Sequence, residues 1–196
     1  MRVIIKPAGL IVIAIAFLVL VAVVAIDKLH LGPKADAGSA PAAVASATPA
    51  AAAETLVLPT AETAPAVWRY TTTEPPKTWA QATFNDTAWS QGKAGFGHDQ
   101  TGHINTPWTS SDIWLRRKVT LPSSLPGVLA FRAFYDEDAE IYVDGVKAAD
   151  APGYSSTYSS IPVNPSGTAA LKPGAAVVIA VHCRNAVGGQ FIDVGL

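Results

Sequence analysis

Three groups of side chains in this 196-residue chain have residue types and spacings that chemistry could use. The first is the carboxylate run Asp136, Glu137 and Asp138. Paired carboxylates do glycosidic acid/base work when held about 5–9.5 Å apart across a bond, and adjacent residues are not thereby set facing each other. An ion pair is the simpler use. An arginine on the inward phase of a strand needs an acidic partner, so Asp136 or Asp138 is expected to meet Arg116 or Arg117. The same oxygen-rich loop would suit a structural calcium ion, but no metal ligand set is assigned.

The second group is His98, Asp99 and His103, within the Gly- and Thr-containing residues 95–105. These would converge on a metal only if the loop folded back on itself. Solvated histidines that line a ligand loop are the expectation instead. The third group is aromatic. Sugar rings present apolar faces and a hydroxyl rim, so a site for them combines an aromatic platform with a few polar groups. Trp108 in the loop 98–109, and Tyr154 and Tyr158 in the loop 153–158, offer that combination, although Trp108 fits a core position equally well.

Other chemistries lack their residues. His182 and Cys183 are strand neighbours that point to opposite faces, so they do not form a nucleophile pair; Cys183 reads as buried and inert. The serines of residues 155–160 lie in no G-x-S-x-G elbow. Gly95 and Gly97 lack the third glycine and the following helix of a phosphate loop. One cysteine excludes a disulfide framework or a multi-thiolate zinc site. A formal net charge of −1 with 15% charged residues gives no electrostatic case for nucleic acid.

These candidates must be positioned by a β-rich domain spanning residues 67–196. From Ile113 to Leu121 apolar residues alternate with polar ones, a period of two that places Arg117 on the inner phase. Ala139, Ile141 and Val143 make one face of another strand, followed by Asp144-Gly145, the pair a type I′ hairpin demands. Residues 129–135 and 177–183 are further strands. The latter is apolar throughout, as in a central strand covered on both faces, and Pro173-Gly174 turns into it. Residues 190–196 are expected to form the last strand. No segment of the domain has helical periodicity.

Upstream the texture differs. Residues 1–7 carry Arg2 and Lys6, and residues 8–26 are uncharged, long enough as a helix to cross a hydrocarbon layer of about 30 Å. An uncleaved signal anchor with its C-terminal part outside the cytoplasm is expected. The alternative is a secretory signal cut after Ala25. Residues 27–66, rich in Ala and Pro, read as a disordered spacer in which Leu56-Val57-Leu58 is the one candidate for a short strand.

Within the domain the motifs run in a definite order. Trp68-Arg-Tyr70, Trp79, Phe84-Asn-Asp86-Thr-Ala-Trp89 and Gly95-Phe-Gly97 come first. Thr106-Pro-Trp108, Ser111-Asp-Ile-Trp-Leu-Arg-Arg117 and Asp136-Glu-Asp-Ala-Glu-Ile-Tyr-Val-Asp-Gly145 follow. Leu171-Lys-Pro-Gly174, Ile179-Ala-Val-His182 and Gly188-Gly-Gln-Phe-Ile-Asp-Val-Gly-Leu196 close the chain. This series resembles the galactose-binding-like jelly-roll modules that accompany secreted bacterial glycoside hydrolases, and is similar to the sugar-binding domain of family 2 glycosidases. The resemblance implies an all-β sandwich without chemistry of its own, with Trp68, Trp79, Trp89 and Trp114 in the framework. It also implies carbohydrate as the partner. A structural or protein-interaction sandwich, docking an envelope protein or a glycoside hydrolase encoded elsewhere, is the other expectation.

Overall fold

The computed structural model describes residues 56–99 and 103–196. The apolar run 8–26 and the spacer up to residue 55 lie outside the described residues. Among the described residues no helix is long and apolar enough to cross a membrane.

The described residues form a two-sheet β-sandwich. In chain order its elements are β1 (Val67–Thr71), β2 (Ser90–Lys93), β3 (Phe96–His98), β4 (Thr106–Pro107), β5 (Asp112–Thr120), β6 (Ala130–Asp136), β7 (Ala139–Val143), β8 (Val146–Ala151), β9 (Ser159–Pro162), α1 (Pro165–Ala170), β10 (Ala176–Arg184) and β11 (Gln190–Gly195). One sheet has the order β2-β1-β5-β10-β7-β8 and the other β4-β3-β11-β6-β9. Period-two side chains from both sheets meet between them: Trp68, Phe96, Phe131, Ile113, Leu115, Ile141, Ile179 and Ile192 are all buried there.

The strands expected from alternation and turn chemistry are present. β7 and β8 are joined by Asp144-Gly145, both at positive φ (48° and 88°), as the mirror-image hairpin turn requires. Asp144 also locks that turn to the neighbouring strand, its Oδ1 accepting from the Val178 amide at 2.8 Å. β10 is central, between β5 and β7. Its Val177, Ile179 and Val181 face the main core, while Val178 and Ala180 belong to a second apolar cluster on the opposite face.

Two expectations change. A six-residue helix, α1, occurs where no helix was expected. It is too short to show periodicity, but its cap is orthodox, with the Asn164 side chain accepting from the Gly167 amide and proline in the first turn. The sandwich also begins before residue 67. The Val57 and Leu58 amides donate to the Leu196 carbonyl, and the Leu196 amide donates back to Leu58. Leu58, Thr60, Ala61 and Ala66 are buried, so residues 57–66 pack on the fold instead of belonging to the spacer. Gly195 makes room for this segment: a Cβ there would lie 2.5 Å from the Leu58 carbonyl oxygen.

The second apolar cluster exists because the segment between β1 and β2 folds over the outer face of the six-stranded sheet. Trp79, Ala80, Phe84 and Trp89 of that segment pack on Trp114, Val178, Ala180 and Tyr142. Its anchor is Arg116, only 2% exposed. The guanidinium donates to the Asp86 carboxylate at 2.8 Å and to the carbonyls of Trp79, Gln81 and Phe84, and lies 5.3 Å from the centroid of the Phe84 ring. Asp86 also meets Arg69 at 3.4 Å.

The expected pairing with the 136–138 run is therefore corrected: neither Arg116 nor Arg117 meets it. Arg117 does take the inner phase, opposite Ile179, but its Nη1 is buried without a hydrogen-bond partner, and burial lowers its pKa. The carboxylates serve local backbone instead. Asp138 Oδ1 accepts from the Gly153 amide at 2.6 Å, and Glu137 Oε2 from the Ala186 amide at 2.7 Å.

Replacing Arg116 by Met is expected to destabilise the domain by about 3–5 kcal/mol, because it leaves the half-buried Asp86 only its 3.4 Å contact with Arg69 and strands several carbonyls. Asp86→Asn, which keeps an acceptor, is expected to cost less. Chemical denaturation of the two variants gives the ranking, and a loss for Arg116→Met no greater than for Asp86→Asn contradicts the anchoring role.

Candidate binding site

The outer face of the five-stranded sheet gathers the densest mixture of aromatic and charged groups that includes a nominated residue. Paired strand positions share a face. Phe191 lies opposite Asp136, Asp193 opposite Phe134, and Gly195 opposite Arg132, which in turn lies opposite Ser160. The loop between β8 and β9 brings Tyr158 onto these rows. Its ring meets Phe134 edge-on, with centroids 5.6 Å apart, and Arg132 sits over it at 5.5 Å. Phe134 and Phe191 are themselves in contact, at 4.6 Å between centroids.

A polar chain runs through this layer. The Tyr158 hydroxyl donates to Asp193 Oδ2 at 2.7 Å, and the Ala61 amide donates to the same oxygen at 2.6 Å. Arg132 grips Glu62 with two bonds, Nε to Oε2 at 2.6 Å and Nη2 to Oε1 at 2.8 Å. This is the fork geometry that suits a planar guanidinium. Segment 57–66 thus contributes Ala61 and Glu62 to the site.

The electrostatics follow from burial and partners. The Arg132 hydrogen bond holds the Glu62 carboxyl below its ordinary pKa against burial, with help from Thr60 and from the nearby charge of His103. Asp193 goes the other way. Burial pushes its carboxyl up, opposed by the Tyr158 hydroxyl and the amides of Ala61 and Val194. The residue is 2% exposed, and its Oδ1 has no hydrogen-bond partner within normal geometry. Burial and the neighbouring Asp193 raise the Tyr158 hydroxyl far above the phenol range, so Tyr158 remains a neutral donor.

The nominated residues separate. Tyr158 lies in the network. Tyr154 stands apart from it on the same face, bridged to Asp136 in the sheet, with the residue 72% exposed. His103 is exposed, with its backbone carbonyl accepting from the Asn105 side-chain amide at 3.2 Å. His98 and Asp99 instead pair with each other at 2.8 Å in solvent.

Trp108 is core, at 2% exposure, with its indole N–H donating to Ser110 Oγ at 3.0 Å; it is no platform. Among the described residues no group of three His, Cys, Asp or Glu side chains could hold a metal ion. Cys183 and His182 do face opposite ways. The thiol is buried and its pKa raised by that burial, whereas the imidazole stacks on Trp114 at 4.6 Å and bonds Asp112 at 2.8 Å.

Arg132, Glu62, Asp193 and Phe134 were not nominated from sequence. Asp193 had a signal, a lone charge in an otherwise apolar terminal strand. Glu62 had none, since it lies in what reads as spacer.

Solved structures with a similar sandwich can now be set beside this geometry. Neither a family model nor a curated protein matches the chain. Among solved structures, a glycosyl hydrolase family 2 member from Bacteroides cellulosilyticus is 16% identical with a TM-score of 0.48, over 66% of this chain and 19% of that one. The β-glucuronidase of Faecalibacterium prausnitzii is 20% identical, TM-score 0.44, over 63% and 21%. The β-glucuronidase of Bacteroides uniformis is 18% identical, TM-score 0.45, over 65% and 17%. The chain spans about a fifth of the length of these enzymes.

The raised carboxyl makes a signed prediction. Between the unfolded pKa, 3.8, and the higher folded value, the native state holds more protons than the unfolded one. The Asp193 contribution to stability therefore falls as pH rises through that window and stays lower above it. Asp193→Asn removes this dependence, so the Tm of the variant relative to the parent is expected to increase between about pH 4 and about pH 7. A relative Tm that stays flat or falls over that range contradicts the assignment.

Proposed function

We propose that this chain is a membrane-tethered, extracytoplasmic carbohydrate-binding-like module. Its galactose-binding-like jelly-roll sandwich carries no chemistry of its own, and residues 8–26 hold it at the membrane. The observation that carries the reading is the exposed Tyr154, bridged to Asp136 in the row of Phe191, on the same outer face that carries Tyr158 and Arg132. A sugar offers C–H faces to Tyr154, and further units of a chain laid along the face would bring hydroxyls to the polar groups two rows away. The order of the sequence motifs supports the same class of ligand. The similar solved structures are named as glycosidases, and any cooperation with such an enzyme belongs to this proposal.

The test is glycan-array screening and affinity-gel electrophoresis of the full chain against neutral and acidic polysaccharides. Retardation by at least one polysaccharide is expected, and Tyr154→Ala is expected to weaken it roughly three- to tenfold, the scale of one aromatic contact. Thermal unfolding should stay unchanged, because the ring is largely solvated. No retardation by any polysaccharide, together with a stoichiometric protein partner retained from membranes, overturns the carbohydrate reading in favour of a protein-docking sandwich.

A further inference from the structure

A second surface, on the other sheet, has a different chemistry. Where the covering segment 75–89 ends, a cleft of about 410 Å³ opens against β2, β1 and β5, lined by Val67, Trp68, Arg69, Asp86, Gln91 and residues 116–118. Strand register explains its charge. Val67 pairs with Lys93, and Lys118 with Val178, while Arg69 pairs with both Gln91 and Arg116. Continuing the β1–β5 register by two residues sets Val67 beside Lys118, so Lys93, Val67 and Lys118 form one row across three strands and Gln91, Arg69 and Arg116 form the next. Both rows share the outer face. The two lysines flank the row about 9–10 Å apart, two strand spacings, with the exposed Val67 between them.

The cations outnumber their partners. Arg69, Arg116, Arg117 and Lys118 line the cleft against a single carboxylate, Asp86. That carboxylate is already committed to Arg69 and Arg116. Among the described residues no carboxylate pairs with Lys93, Arg117 or Lys118. Arg117, on the inner side of the same strand, is half-buried with an unpartnered Nη1, so positive potential reaches the cleft floor from below as well. Such a concentration of one sign, in a concave site with low-dielectric walls, focuses field towards an anion. In a chain whose formal net charge is −1, it does not follow from an overall excess of base.

We propose that this cleft is an oxyanion site, taking a sulfate, carboxylate or phosphate group between Lys118, Lys93 and the outer edge of Arg69. It concerns the opposite sheet from Tyr154 and stands whether or not that tyrosine binds sugar.

The test measures binding of the full chain to dextran sulfate and to uncharged dextran by calorimetry, with inorganic sulfate and inorganic phosphate as competitors. Binding to dextran sulfate alone is expected, weakening with salt. Lys118→Gln should lower the affinity about three- to tenfold, as loss of one partly screened contact charge does, and Lys93→Gln should add to it. Lys172→Gln makes the same change of net charge at the exposed turn before β10 and should leave affinity unaltered. Competition by millimolar sulfate or phosphate means the free ion suffices, whereas its failure places the oxyanion on the polymer. Equal losses for Lys118→Gln and Lys172→Gln, or no preference for dextran sulfate over dextran, overturn the site.

Discussion

Arg116 is the constraint on which the second half of the architecture depends. A guanidinium taken almost wholly out of water is tolerable only where its donors are met and its charge is opposed. Here that condition is fulfilled by one segment, residues 79–86, supplying three carbonyls and the Asp86 carboxylate. The segment is thereby fixed over the outer face of the six-stranded sheet, and Trp79, Phe84 and Trp89 close the small apolar cluster beneath it. β10 can then be apolar on both faces, since neither is left to solvent. The same pin draws Asp86 to the mouth of the cationic cleft, where it satisfies two arginines and leaves the lysines unopposed.

The five-stranded sheet solves the equivalent problem on its outer face differently. Phe134 and Phe191 are buried there, and the groups around them are polar: Tyr158 from the β8–β9 loop, Arg132 from β6, Asp193 from β11, and Ala61 and Glu62 from the segment that wraps the end of the sheet. The network ties four parts of the chain together by hydrogen bonds whose separations along the sequence reach 132 residues. Such a layer is rigid in its interior and open at its rim, and Tyr154 stands apart on the same face. Polar groups already held in place on the same face as an exposed ring cost little ordering on binding, which is the physical basis of the ligand reading. The two outer faces thus present unlike surfaces, one aromatic with balanced charge and one cationic.

Much of the sandwich was legible residue by residue. Alternation in residues 113–121, the Asp144-Gly145 turn and the doubly apolar run 177–183 each express a local rule, and local rules survive without knowledge of the partner strand. α1 was missed because six residues give less than two turns of periodicity. In segment 57–66 only the start, Leu56-Val57-Leu58, was visible as a candidate strand; the rest was missed because its Ala, Thr and Pro composition matches a spacer, and only the neighbouring Leu196 and Asp193 give those residues something to bury against. The site divided along the same line. Tyr154 and Tyr158 were visible as aromatics in a loop, whereas Trp108, equally visible, turned inward.

By itself the sequence determined six of the eleven strands, the hairpin turn, the inert cysteine and the inner phase of Arg117, because each rests on residue type and nearest neighbours along the chain. The partner of Arg116 was decided only in three dimensions. Asp86 lies 30 residues away, and nothing in a one-dimensional pattern distinguishes it from the nearer Asp136 or Asp138. The same holds for Glu62 with Arg132 and for Tyr158 with Asp193. Charged groups choose partners by distance and dielectric after the sheets have closed, so the chain names the candidates and tertiary packing makes the pairs.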